Sequence, residues 1–250
     1  MRIKDKVVVI TGAGSGVGLA ITKRFLAEGA RIIAVDLNAR ALADTVEPLG
    51  GAVVAITGNV AEEADCVAMI DRAISEFGRI DVLVNNAGVM DRFASVADMD
   101  NATWRRCMAV NVDGAMFAMR KAVPLMLAQG SGSIINTAST AGVGGASAGA
   151  AYTAAKHALI GLTRSTAYQY ARQGLRCNAL ALGGVETNIM AEASKNFDQR
   201  AMERLGAYHL SSPGAMQPDD IASVALFLAS DDSIKVNGAI LPVDMGWRAA

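Results

Sequence analysis

The sequence predicts an α/β fold in which one doubly wound parallel sheet of about seven strands carries helices on both faces. Short apolar runs alternate along the chain with segments in which apolar residues recur every three or four positions. The runs are apolar throughout rather than at every second residue, which indicates strands that are covered on both faces. Alternating strands and helices favour right-handed parallel crossovers within a single sheet.

The strands are predicted where aliphatic and β-branched residues form short runs between turn residues. The first, Lys6–Thr11, is rich in valine and is followed directly by glycines. The other predicted strands are Arg31–Asp36, Ala52–Thr57, Ile80–Val84, Ser133–Thr137, Leu175–Leu180 and Ala239–Val243.

The helices are predicted from the spacing of apolar residues between these runs. The first follows the glycines and ends at Gly29, a residue type that commonly terminates helices. Further helical patterns lie around Val67–Phe77, from about Met99 to Gln129 as two helices or one broken helix, at Ala150–Gln173, and around Ile221–Leu228. Residues 186–218 fit the alternation least, and we interpret them as a mobile substrate flap.

The composition limits the classes of protein to which the chain can belong. With 250 residues, 52% of them hydrophobic, residues 1–250 are expected to form a single domain. The chain has 23 Lys+Arg against 24 Asp+Glu, and this balance argues against a nucleic-acid partner. No apolar run is long enough for a membrane span. Three widely spaced cysteines without a paired motif favour a reducing cytoplasm, and only two histidines argue against a metal site.

A glycine-rich turn, Thr11–Gly18, lies between the first predicted strand and helix. Glycines here allow a tight turn and let a pyrophosphate approach the helix N-terminus. Asp36 ends the second strand, at the place where a carboxylate would bind the adenosine ribose and repel a 2′-phosphate. Arg40, the only nearby cation, is expected to be exposed, so NAD is favoured over NADP. The alternatives are an ordinary tight loop and a helix N-cap role for Asp36.

Tyr152 and Lys156 share one face of a predicted helix because they are four residues apart. A nearby ammonium, together with a cationic nicotinamide ring, would favour the tyrosine phenolate and bring its pKa toward working pH. Such a tyrosine can exchange a proton with an alcohol or carbonyl oxygen. The alternative is a tyrosine–lysine pair on a helix surface, without function.

Several motifs together resemble those of the short-chain dehydrogenase/reductase family, and the resemblance covers essentially the whole chain. They are Thr11-Gly12-x3-Gly16-x-Gly18, Asn85-Asn86-Ala87-Gly88, Asn111, Ser139, Tyr152-x3-Lys156, the segment Asn178–Thr187, and Val243–Trp247 near the end. Each motif alone is weak, whereas their order along one chain is specific. The resemblance implies a Rossmann-like fold and a nicotinamide cofactor.

The resemblance also implies roles for individual residues. Tyr152 would be the general acid/base, and Lys156 would lower its pKa and bind the nicotinamide ribose. Ser139 would hold the substrate oxygen, and Asn111 would support a water chain to Lys156. The cofactor-binding residues implied are Gly12, Ser15, Gly16, Val17, Gly18, Asp36, Leu37, Asn59, Val60, Asn86, Ala87, Gly88, Tyr152, Lys156, Gly183, Val185 and Thr187.

Three residues depart from the family pattern without removing a catalytic group. Leu182 stands where the family usually has proline, so the loop that borders the nicotinamide is less constrained. Asn59 replaces an aspartate that faces the adenine amine, although an amide oxygen can also accept that hydrogen bond. Met245 replaces the first glycine of an Asp-Gly-Gly ending.

The sequence therefore predicts an NAD-dependent oxidoreductase acting on a small-molecule secondary alcohol or ketone, with no metal ion. One alternative is an NADP-linked oxoacyl-carrier reductase, against which Asp36 argues. Another is a dinucleotide-binding sensor or scaffold without turnover, which would not need Ser139, Tyr152, Lys156 and Asn111 together. The resemblance and the small-residue helical segments 115–122 and 150–158 also predict a homotetramer or homodimer.

Overall fold

The computed structural model describes residues 1–50, 52–187, 189 and 197–249. The strands are β1 (Val7–Thr11), β2 (Arg31–Asp36), β3 (Val53–Thr57), β4 (Val82–Asn85), β5 (Gly132–Thr137), β6 (Leu175–Leu182) and β7 (Ile240–Val243). The α-helices are α1 (Gly16–Ala27), α2 (Ala39–Thr45), α3 (Glu63–Phe77), α4 (Asn101–Met108), α5 (Gly114–Ala128), α6 (Ala150–Tyr170), α7 (Gln199–Leu210) and α8 (Pro218–Ala229).

The strands form one parallel seven-stranded sheet, which confirms the predicted fold class. Their order is β3-β2-β1-β4-β5-β6-β7, so the chain reverses direction across the sheet between β1 and β4. Apolar residues of α1 and α8 cover one face, and those of α3, α5 and α6 cover the other. At such a reversal, the loops at the carboxyl edge of the sheet run in opposite directions and leave a crevice in which a ligand can bind. Within the described ranges, no helix is both long and apolar enough to cross a membrane.

Strand β6 and the region 99–129, which forms two helices as one of the predicted alternatives has it, each show one feature that the sequence did not predict. Strand β6 continues two residues beyond the predicted end, because Leu182 pairs in parallel register with Val243. The predicted helical region 99–129 forms α4 and α5, joined by a π-helical turn at Ala109–Asp113. Such turns are rare and concentrate at functional sites.

The predicted flap 186–218 lies partly outside the described residues. Its described part contains a helix that the polar composition did not predict. This helix, α7, begins after Asp198, whose carboxylate accepts a hydrogen bond from the Ala201 amide at 3.0 Å. A side-chain cap of this kind satisfies one of the amides left open at a helix N-terminus.

Met245 adopts a left-handed backbone conformation, with φ of 53°. A side chain at such a φ is strained because its Cβ crowds the following carbonyl, on the order of 1–2 kcal/mol. This is the position at which the family pattern has glycine, the residue that adopts the conformation without that strain. The departure noted in the sequence therefore places a strained residue two positions after the end of β7.

Replacing Met245 by glycine is expected to increase the free energy of unfolding by roughly 0.5–1 kcal/mol, since relief of strain outweighs the greater freedom of glycine in the unfolded chain. The Met245 side chain is half exposed, so little packing is lost. Urea unfolding followed by circular dichroism measures the change. Met245→Ala keeps the Cβ and serves as the control. Equal stability of both variants would contradict the strain argument.

Candidate active site

A cavity of about 1130 Å³ opens at the carboxyl edge of the sheet, among the loops that follow β1 to β6. It extends from the glycine-rich turn to α6 and the C-terminal segment. Of the predicted site residues, those that line it are Gly12, Ser15, Gly16, Val17, Asp36, Leu37, Asn59, Val60, Asn86, Ala87, Gly88, Ser139, Tyr152, Lys156, Gly183, Val185 and Thr187. Gly18 and Asn111 are the two predicted residues that do not line it.

The glycine-rich turn is held in place by the loop after β4. The Thr11 hydroxyl accepts hydrogen bonds from the amides of Asn86 and Ala87, both at 3.0 Å. A Cβ on Gly12, whose φ is 67°, would lie 2.9 Å from Asn86 Nδ2. A Cβ on Gly18 would lie 2.0 Å from the Gly12 carbonyl oxygen, so Gly18 allows α1 to approach the turn from behind. The turn is thus shaped by close backbone approach.

The N-terminus of α1 faces the cavity. Its N-cap residue, Ser15, makes no side-chain hydrogen bond to the helix, and Ser15, Gly16 and Val17 line the cavity wall. Helix N-terminal amides and the helix dipole together attract anions such as a pyrophosphate. The Thr187 methyl group lies 3.0 Å from where a Gly16 Cβ would be, so the segment after β6 borders the same turn. These residues fit a dinucleotide pyrophosphate.

Asp36 places a carboxylate at the end of β2, beside the glycine-rich turn. It accepts hydrogen bonds from the amides of Gly14 and Asn38, both at 2.9 Å. The N-cap of α2 is Asn38, so the alternative in which Asp36 caps that helix is wrong. The remaining lone pairs of the carboxylate can accept ribose hydroxyls. Arg40 is largely exposed and pairs with Asp44 at 3.4 Å.

The loop after β3 forms the wall on which the adenine would lie. The Asn59 amide donates to the Asp65 carboxylate at 2.8 Å, and the Asn59 side-chain oxygen accepts from the Ala61 amide at 3.1 Å. One lone pair of that oxygen is therefore already used. The second lone pair and the side-chain NH₂ group can still bind the edge of a base.

Tyr152 and Lys156 are both buried at the floor of the cavity. The Lys156 ammonium donates to the Thr137 carbonyl at 2.7 Å and lies 5.3 Å from the centre of the Tyr152 ring. Burial raises the pKa of Tyr152, and hydrogen bonding by Ser139 opposes part of that rise. Burial also lowers the pKa of Lys156 to about 8. In the protein chain alone, burial dominates the pKa of Tyr152, and the lowering expected from Lys156 together with a cationic nicotinamide ring stays a prediction for the enzyme with its cofactor bound.

Ser139 follows β5 and faces the same space. Its hydroxyl oxygen accepts a hydrogen bond from the Ala141 amide at 3.1 Å and caps a short 3₁₀ turn. The hydroxyl proton can still be donated, because a serine hydroxyl carries one donor and two lone pairs. The local capping role and a role in holding a substrate oxygen are therefore compatible.

Asn111 lies within the π-helical turn and is buried behind the cavity. Its side-chain NH₂ donates to the carbonyls of Val89 and Cys107, both at 2.9 Å. Its side-chain oxygen accepts from the Val89 amide at 3.2 Å. Since Val89 lines the cavity, Asn111 holds that wall in position.

The end of the cavity farthest from Asp36 has a partly aromatic wall that the sequence did not predict. The Phe93 ring lies 5.6 Å from the His209 ring, and His209 lies 5.8 Å from the Trp247 ring. We call Met90, Phe93, His209 and Trp247 the outer wall. Met90 and Phe93 come from the loop after β4, His209 from α7, and Trp247 from the segment after β7.

Replacing Lys156 by methionine is expected to stabilise the fold at neutral pH and to lose this advantage as the pH rises. The pKa of Lys156 falls from 10.5 to about 8 on burial, so folding releases a proton between these values. Below this pH range Lys156 is charged in both states, so its buried ammonium lowers the free energy of unfolding by an amount on the order of 3 kcal/mol. Urea unfolding over a pH series measures the difference. Lys23→Met, at an exposed site, is the control, and a pH-independent difference would contradict the burial argument.

A doubly wound sheet with a glycine-rich turn and a buried tyrosine–lysine pair defines a nicotinamide-dependent oxidoreductase. A family model described as "Enoyl-(Acyl carrier protein) reductase" matches residues 12–248. The chain belongs to the short-chain dehydrogenase/reductase family, whose members bind a nicotinamide dinucleotide.

Several relatives and solved structures are similar over nearly the whole chain. "3beta-hydroxysteroid dehydrogenase 2" of Eggerthella lenta is 40% identical, over 99% of this chain and 96% of its own length. "Asnovolin H dehydrogenase nvfC" of Aspergillus novofumigatus is 37% identical, over 98% of both chains. The crystal structure of levodione reductase superposes with a TM-score of 0.91 at 33% identity and covers 100% of both chains.

Proposed function

We propose that this protein is an NAD-dependent oxidoreductase that interconverts a secondary alcohol and a ketone, with Tyr152 as general acid/base. The observation that carries the proposal is that one cavity contains both Asp36, at its adenosine end, and the buried Tyr152–Lys156 pair. A hydride transfer requires a proton to move at the substrate oxygen, and a phenol can move it.

The roles of the residues follow from their contacts. The bound dinucleotide would accept or donate the hydride, and its oxidised ring carries a positive charge that favours the Tyr152 phenolate. Tyr152 Oη would take the hydroxyl proton of an alcohol, or return it to a ketone oxygen. The Ser139 hydroxyl would donate a hydrogen bond to that oxygen. Lys156, fixed by the Thr137 carbonyl, would hold the ribose beside Tyr152.

The preference for NAD rests on charge at the adenosine end. Asp36 is held there by the Gly14 and Asn38 amides and would repel a 2′-phosphate. Among the described residues that line the cavity, the only arginines are Arg92, in the loop after β4, and Arg106, on α4, and neither belongs to β2 or the loop that follows it. Asp36 likewise disfavours an NADP-linked oxoacyl-carrier reductase.

The proposed substrate is a bulky, mostly apolar cyclic alcohol or ketone. The cavity is larger than typical single-ligand pockets of about 300–1,000 Å³, which leaves room beside a cofactor. Met90, Phe93 and Trp247 offer apolar and aromatic surface for such a molecule. The printed name of one relative, a hydroxysteroid dehydrogenase, agrees with this class.

A turnover screen tests the proposal. The purified protein is incubated with NAD or NADP and with hydroxysteroids, bicyclic alcohols or linear secondary alcohols, while the absorbance of reduced nicotinamide is followed. Parallel assays contain NADH or NADPH with the corresponding ketones or with an oxoacyl thioester. We expect turnover with NAD and faster reaction of the cyclic substrates. NAD binding without turnover of any alcohol or ketone would favour the sensor alternative. Turnover confined to NADPH and oxoacyl thioesters would favour the carrier reductase.

We further propose that residues 1–250 act as one domain within a cytoplasmic homotetramer or homodimer. Strand β7 lies at an edge of the sheet and is only partly buried, and Trp104 on α4 is 41% exposed, so both offer surface to a second copy. Cys66, Cys107 and Cys177 are buried and unpaired, as suits a reducing compartment. Sedimentation as a monomer would contradict the oligomer.

A further inference from the structure

Asp91, in the loop after β4, is a buried carboxylate that lines the cavity beside α6. Only 1% of its surface is exposed. One carboxylate oxygen accepts hydrogen bonds from the Phe93 amide at 2.9 Å and the Gly149 amide at 3.2 Å. The other oxygen accepts from the Tyr152 amide at 3.0 Å. The same carboxylate therefore contacts the backbone of the proposed acid/base and that of the outer wall.

The contact with α6 replaces a missing helix cap. The N-cap residue of α6 is Gly149, which has no side chain to accept the first amides. An N-cap oxygen normally binds the amide two or three residues into the helix. Tyr152 occupies the third position, and Asp91 supplies the oxygen from a distant part of the chain. The positive end of the helix dipole also favours the carboxylate.

The contact with the loop stabilises a strained conformation. Phe93 has φ of 62°, a value that bulky residues rarely adopt. Its amide is held by Asp91, and the next residue, Ala94, accepts a hydrogen bond from the Ala150 amide at 2.9 Å. A Cβ on Gly149 would lie 2.5 Å from the Asp91 carboxylate, so α6 and the loop meet without space for a side chain. Backbone strain of this kind persists where surrounding contacts fix it.

We propose that Asp91 is a positioning residue that sets the location of Tyr152 and couples it to Met90 and Phe93 of the outer wall. The inference rests on the proposed function, because it concerns the geometry of the same proton transfer. Movement of the loop around a substrate would be transmitted to the first turn of α6 through one carboxylate. The neighbouring Arg92 does not neutralise that carboxylate through an ion pair, since it pairs with Asp100 at 2.7 Å.

Asp91 also acts on the Tyr152 phenol through its charge. The groups that face Tyr152 are Asp91 from the loop, Ser139 after β5, Cys107 on α4 and Lys156 on α6. Burial is the largest cause of the raised pKa of Tyr152, Ser139 opposes it, and Asp91 and Cys107 add to it. Removing the charge of Asp91 should therefore lower the pKa of Tyr152.

Asp91→Asn separates these contacts, because its oxygen can still accept from Phe93 and Gly149 while its NH₂ group faces the Tyr152 amide. We expect kcat for alcohol oxidation to fall about 10- to 100-fold, as a misplaced acid/base would cause. The dissociation constant of NAD should be unchanged, and the rise of kcat/KM with pH should begin at a lower pH. Asp98→Asn, at an exposed site before α4 where the carboxylate accepts only from the Ser95 hydroxyl at 2.8 Å, is the matched control and should behave as wild type.

A second variant keeps the proposal testable if Asp91→Asn does not fold. Asp91→Ser can accept the Phe93 amide and is too short to reach Tyr152, so it should show the same loss and the same pH shift. Wild-type kcat and pH profile in either folded variant would overturn the role of Asp91 and leave the proposed function intact. Lack of turnover by the wild-type protein would overturn both.

Discussion

Tyr152→Phe is expected to lower turnover by about 10²- to 10⁴-fold, the usual contribution of a general acid or base. The ring would still fill its buried position, since only the hydroxyl is removed. The dinucleotide site at the glycine-rich turn and Asp36 lies on other elements, so NAD binding should be retained. Steady-state rates and fluorescence titration with NADH measure the two effects separately.

Tyr168→Phe is the matched control for this substitution. Tyr168 lies on the same helix, α6, and its side chain is 88% exposed. The same hydroxyl is removed there at a site without contact to the cavity, so rates should match those of the wild type. Retained activity in Tyr152→Phe would overturn the proposed acid/base role. Loss of NAD binding in that variant would point to a structural role instead.

Asp36→Ala is expected to weaken NAD binding by about 10- to 100-fold, as the loss of a charge-assisted hydrogen bond would do. Binding of NADP should weaken less or improve, because the repulsion of a 2′-phosphate is removed. The Gly14 and Asn38 amides also lose their acceptor, and a looser turn would weaken both cofactors alike. The ratio of the NADP and NAD dissociation constants therefore reports on the charge itself.

Asp71→Ala removes an exposed carboxylate from α3 and serves as the control. It breaks an ion pair of 2.6 Å with Lys121, and neither residue lines the cavity, so both dissociation constants should remain those of the wild type. A cofactor ratio for Asp36→Ala equal to that of this control would show that Asp36 does not set the preference.

The sheet could be predicted because its signals are local. Residues 31–36 form an apolar run bounded by turn residues, and β2 occupies the predicted range. The end of β6 could not be predicted, since Leu182 extends the strand only because Val243 lies beside it. The π-helical turn around Asn111 was also missed, because one extra residue in a helical turn barely alters the spacing of apolar positions.

The candidate site was predictable where a motif carries its own geometry. A spacing of four residues places Tyr152 and Lys156 on one helix face, and Ser139 lines the same cavity. The pKa of Tyr152 was not predictable, because burial depends on tertiary packing. Asp91 was not predicted as a site residue, because the residues whose amides donate to its carboxylate, Gly149 and Tyr152, lie 58 and 61 residues away in sequence. No local pattern encodes a helix cap supplied from such a distance.

The segment that follows β7 closes one side of the cavity, through Trp247. Trp247 donates to the Ser211 hydroxyl at 3.1 Å, and Arg248 donates to the Thr140 carbonyl at 3.1 Å. The glycine-rich turn follows β1 in the middle of the sheet, whereas this segment follows β7 at one edge. Displacement of the segment would therefore leave the dinucleotide site in place and open the outer wall. Such a molecule would bind its cofactor with normal affinity and discriminate poorly among substrates.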